Sequence, residues 1–171
     1  MTDLVRNKRP FGEAFGFDEA DLRANARGDL TPAQVARARY QAMGWLGGSL
    51  VMPFVWSILL ILIAGTNDIG ILLLLASIIF AVSYSMNFRR SINLLRDLAA
   101  GQVDELTGTV FEVPVQIRLG GRSSIIGLGD QRFPVSPVQY HSFTMDEPAT
   151  VYYLPRARYI VSAEAKGTST P

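Results

Sequence analysis

The sequence predicts a membrane-helical plus β protein: a two-helix transmembrane hairpin that carries a small cytoplasmic β-barrel. Three observations predict it. Residues 45–64 and 69–86 contain no Asp, Glu, Lys, Arg or His. Basic residues crowd the outer flanks of that pair and are missing from the turn between them. After Gly101 the apolar pattern switches from helical spacing to strict alternation.

The apolar runs come first in the argument. Residues 45–64 match the roughly 20 residues that cross a hydrocarbon core of about 30 Å. Residues 69–86 are shorter but adequate. Gly65, Thr66, Asn67 and Asp68 leave room only for a tight turn between antiparallel helices. Arg6, Lys8, Arg9, Arg23, Arg27, Arg37 and Arg39 precede the first run, and Arg89, Arg90 and Arg96 follow the second. The bias of Lys and Arg toward the cytoplasmic side then puts both termini in the cytoplasm, on an inner or plasma membrane. The bilayer is one expected partner.

Composition agrees with this division. Of 171 residues, 49% are hydrophobic and only 18% charged, below the usual charged share of about 25% in soluble domains. The net charge of +1 gives no reason to expect nucleic acid as a partner. With no Cys and a single His, neither a thiolate site nor a metal site is expected, and no cofactor is.

The boundaries fall at 1–43 for an N-terminal arm, 44–101 for the hairpin with its extension, 102–165 for the β domain and 166–171 for a polar tail. In the arm, Asp18 can cap a short helix that Gly28 ends. Thr31, Pro32 and Gln34 make a capping box for the next helix, which runs on into the first apolar stretch. Phe88, Ile92, Leu95 and Leu98 continue the second run at helical spacing until Gly101. Beyond it, Phe111, Val113, Val115, Ile117 and Leu119 alternate as a half-buried strand. Residues 123–128, a Gly129-Asp130 turn and residues 131–135 read as a hairpin. Residues 138–143, 149–154 and 158–165 read as three further strands. So few residues fit a small barrel of SH3-like or OB-like type.

Candidate functional residues are few. Gly44 and Gly48 on the first helix and Ser77, Ala81 and Ser85 on the second are small residues at four-residue spacing, which permits close helix packing. Tyr152 and Tyr153 sit in one strand, so one should point inward and the other outward. An outward Tyr153 with Arg156 and Arg158, together with Arg89 and Arg90 at the helix exit, makes a candidate patch for a partner or for headgroups. His141 lacks the positioned neighbours of a general base and reads as a packed strand histidine. No phosphate loop, zinc spacing or nucleophile elbow is present, so no enzyme is expected.

Asp21-Leu22, Asn25, Gly28, Leu30-Thr31-Pro32 and Gln34, with residues 151–156 and 162–164, resemble uncharacterised bacterial two-pass membrane proteins with a C-terminal β domain. By architecture alone the arrangement is comparable to NfeD-like proteins. The resemblance carries over no known activity; the leading expectation is a membrane-anchored structural or protein-interaction role, with a homo-oligomer or another protein as partner. The alternative is an auxiliary subunit of a transporter or channel.

Overall fold

A computed structural model describes residues 10–64, 70–113 and 124–165. Inside the two long helices, the side chains of residues 49–54, 57, 60–64, 70–76 and 78–83 also lie outside the described set. The described elements are α1 (Phe11–Phe15), α2 (Glu19–Asn25), α3 (Pro32–Ala64), α4 (Gly70–Ala100), β1 (Asp104–Glu112), β2 (Ser124–Leu128), β3 (Gln131–Val135), α5 (Pro137–Tyr140), β4 (Pro148–Leu154) and β5 (Tyr159–Ala165).

The helix starts follow the local chemistry. Asp18 accepts from the Asp21 amide at 2.8 Å, and Asp21 accepts in return from the Asp18 amide, closing a capping box on α2. At α3, the Thr31 amide donates to Gln34 Oε1 at 3.2 Å, and the Gln34 amide donates to Thr31 Oγ1 at 3.3 Å. Gly101, at φ 67°, ends α4 in the left-handed region, where a residue without Cβ costs least.

The sheet has the order β3-β2-β1-β4-β5, every neighbouring pair antiparallel, and it curls into a half-barrel. Its inner face holds one apolar cluster: Val110, Ile126, Leu128, Phe133, Val151, Tyr153 and Ile160, with Phe143. The gap beside β5 is filled by α1, a helix not among the expected elements. Phe15 is buried in the cluster, and its ring meets that of Phe143 edge-on at 5.8 Å. Arg37 on α3 donates to the Gly16 carbonyl and fixes the far end of α1.

A second cluster lies on the outer face of β4 and β5. Tyr152, Leu154 and Val161 pack there against Ala38 and Ala42 of α3 and Leu94 of α4. Both tyrosines are therefore buried: Tyr153 points into the half-barrel, and Tyr152 points out beneath the helices. The expected outward Tyr153 instead faces the half-barrel core, and the helices cover its neighbour Tyr152, so neither tyrosine is exposed.

Two strand assignments change. Residues 138–143 are not a strand; Ser136 and Gln139 form a capping box and Pro137 takes the first helical turn, giving α5. The strand expected over 111–119 instead begins at Asp104 and ends at Glu112, and residues 114–119 lie outside the described set.

The transmembrane hairpin is also corrected. Among the described residues, no helix is long and apolar enough to cross a membrane. The described side chains of α3 and α4 belong mainly to amphipathic stretches that pack on the sheet, with Ala38, Ala42, Ser91, Leu94 and Asp97 buried. The apolar runs behind the expectation fall largely on the undescribed side chains, and the expected turn at 65–68 lies outside the described residues. A helix that is apolar all round can be either a membrane span or part of a protein core. The lipid partner, the membrane localisation with two cytoplasmic termini, the membrane-anchored role, the auxiliary-subunit alternative and the two-pass resemblance all rested on that hairpin and go with it. The protein-partner or homo-oligomer expectation depended on the same anchored architecture and has no support here.

Candidate functional site

The arginine and tyrosine patch expected from sequence is taken apart by the fold. Tyr153 packs edge-on against Phe133 at 5.0 Å inside the half-barrel. Burial pushes its hydroxyl pKa up, helped by the Asp104 carboxylate and opposed by a Gln131 hydrogen bond and Arg158. Arg156 sits 3.9 Å from the buried Asp97 carboxylate, whose other oxygen accepts from the Ala157 amide at 2.8 Å. Arg156 thus helps hold the β4–β5 turn on α4. Arg158 is exposed and adopts a positive φ of 50° within the same turn. Arg90 stacks over the Trp45 ring at 4.6 Å, between α4 and α3, while Arg89 is exposed.

Further polar links tie the helices to the sheet. Tyr159 Oη donates to Gln41 Oε1 at 2.9 Å. Burial raises the pKa of this tyrosine, and Arg37 and Arg90 partly offset that rise. Asn25 Nδ2 donates to Ser162 Oγ at 2.6 Å and pins α2 to β5. These groups brace a joint, although Asn25 Oδ1 is buried there without a hydrogen-bond partner among the described residues.

A Cβ built on Gly44 or Gly48 meets nothing within 4 Å among the described residues. Ser77 is half-buried, Ser85 is exposed, and the Ala81 side chain lies outside the described residues. His141 is exposed at the end of α5, its ring 5.7 Å from that of Tyr140.

A different surface is assembled on the outer face of β1, β2 and β3. Phe111 on β1 pairs with Gly127 on β2, and Gly127 pairs with Arg132 on β3. Residues directly opposite each other share a sheet face, so the three form one row. Ile125 and Pro134 form the next row. The Phe111 ring lies down on Gly127: a Cβ there would sit 2.1 Å from Phe111 Cζ. Any larger residue there would displace the ring. The phenyl group nevertheless remains 39% exposed, with the exposed Arg132 one strand further on.

The sequence carried a signal for this row that the alternation obscured. Phe111 was counted as the first inward residue of a strand, whereas the strand's inward positions are Leu106, Gly108 and Val110. A glycine inside the run Ile125-Ile126-Gly127-Leu128 marks a close approach of another group. No family model, curated protein or solved structure matches the chain.

Proposed function

We propose that the chain is a non-catalytic recognition module whose outer β1–β2–β3 face binds a planar group carrying negative charge. The observation that carries this reading is the Phe111 ring resting on Gly127 with its other side open. A flat ring fixed from below offers a stacking surface at little entropic cost, and Arg132 supplies the countercharge on the same face. A ring, a glycine and a guanidinium stack and pair; they do not move protons. The strand order, with α5 between β3 and β4, fits an OB-like half-barrel, a fold in which the β2–β3 face serves oligonucleotides and oligosaccharides. That likeness supports the location, while the ligand class follows from the residues themselves.

The test is fluorescence anisotropy of a labelled oligothymidylate with the full chain, using an aromatic carboxylate as competitor. Phe111→Ala should weaken binding roughly five- to one-hundred-fold, since stacking is worth about 1–3 kcal/mol per base. Arg132→Ala should weaken it and flatten the salt dependence. Equal binding by Phe111→Ala, or no binding of either probe by the unaltered chain, would overturn the reading.

A further inference from the structure

A cavity of about 300 Å³ opens at the other side of the half-barrel, beneath the start of α1. Pro10, Phe11, Val110, Phe143, Pro148 and Ala149 supply its apolar lining. The Phe11 and Phe143 rings meet edge-on at 4.9 Å and form one wall. At roughly 30 Å³ per water-sized group, the space suits a compact ligand on the order of ten non-hydrogen atoms.

The polar groups of the cavity define the ligand's charge. Ser142 is 7% exposed, and its hydroxyl donates to the Val138 carbonyl at 3.2 Å. The hydroxyl hydrogen is therefore committed, and Oγ is left to accept. Two backbone amides at this end are engaged: the Val110 amide donates to the Glu147 carbonyl at 3.0 Å, and the Asp146 amide donates to the Val110 carbonyl at 2.8 Å. Half-buried Thr144 adds a second hydroxyl to the lining. Glu147, whose side chain is exposed at the rim, is the one charged residue among the described residues that line the cavity. An acceptor inside, a carboxylate at the mouth and aromatic rings along the wall all favour the same kind of guest.

We propose that this cavity binds a small primary amine, an ammonium group on a compact apolar body, with the ammonium toward Glu147 and Ser142 and the body against Phe11 and Phe143. This site is separate from Phe111 and stands or falls independently of the recognition face.

The experiment uses the full chain with 2-phenylethylamine, the neutral 2-phenylethanol and the anionic phenylacetate, each titrated by calorimetry and by thermal shift. Ligand that binds only the folded chain raises the melting temperature with concentration. The amine should bind roughly two- to five-fold more tightly than the alcohol, the range an exposed ion pair of up to about 1 kcal/mol supports. Phenylacetate should bind least. Glu147→Gln should remove the difference between amine and alcohol while leaving the melting temperature of the free protein unchanged, because the side chain is exposed. Phe111→Ala should not alter any of these titrations. Equal binding of the three probes, an amine preference that survives Glu147→Gln, or no binding of the amine would each overturn the proposal.

Discussion

The outer surface of the sheet divides into two halves with opposite fates. On β4 and β5, Tyr152, Leu154 and Val161 disappear beneath α3 and α4. On β1, β2 and β3, Phe111 and Arg132 stay exposed, and Ile125 and Pro134 are only half-buried. Both halves are apolar enough to be covered. What separates them is the polar pins: Asp97 on the Ala157 amide, Tyr159 on Gln41 and Asn25 on Ser162 all fall on the β4–β5 side. Apolar contact provides the adhesion there, and the directional bonds decide where it happens. Among the described residues, the open half carries a ring, a glycine and one cation.

The comparison is most exposed to a substitution under the helices. Leu94 is fully buried in the outer cluster. Leu94→Ala should cost about 2–5 kcal/mol, as large-to-small changes in packed cores do. Denaturant titration followed by circular dichroism reads this directly. If Leu94→Ala costs no more than Phe111→Ala, the two halves do not differ in the way the packing indicates.

A second test uses pH. Burial, reinforced by a 3.1 Å hydrogen bond to Glu164 and by the Glu164 and Glu105 charges, pushes the Tyr152 hydroxyl pKa up to about 12 from 10.0. The folded state holds this proton more tightly than the unfolded state does. The associated stability is therefore complete below about pH 10 and is lost as pH rises toward 12. Solvent around the hydroxyl screens part of this, so the loss should fall well below the roughly 1.4 kcal/mol per pKa unit of an unscreened group. Tyr152→Phe should flatten that part of the stability profile. An unchanged profile between pH 10 and pH 12 would mean that this hydroxyl is not buried against Glu164.

Parts of this arrangement could be read directly from the sequence. The capping residues Asp18, Thr31 and Gln34, the stop at Gly101 and the Gly129-Asp130 hairpin turn are decided by neighbours in the chain, and each is found where local chemistry puts it. Residues 138–143 favour a strand by composition, but Ser136, Pro137 and Gln139 form a helix start that decides their structure. The fates of the two tyrosines and of Phe111 were not legible. Alternation tells which residues share a face but not which face a helix will cover, and that depends on Asp97 reaching Ala157 across 60 residues of chain. The apolar runs misled in another way, because their length was taken as evidence of crossing.

The same division continues along α3, and there the smallest effect is expected. Ala38 and Ala42, one turn apart, are buried against the sheet, while Tyr40 and Met43 are 85% and 56% exposed. Gly44 lies four residues beyond Tyr40 and Gly48 four beyond Gly44, so both lie toward the open side of the helix. A side chain added at Gly48 meets nothing within 4 Å among the described residues. With no steric term, helix propensity decides the sign. Leucine is favoured over glycine in a helix by somewhat less than about 1 kcal/mol, chiefly because glycine loses more backbone freedom on folding. Gly48→Leu should therefore raise stability by a few tenths of a kcal/mol up to that ceiling, measured as a shift in the denaturation midpoint at constant slope. A fall of more than about 1 kcal/mol, the size expected for overpacking, would show that this side of α3 is covered after all.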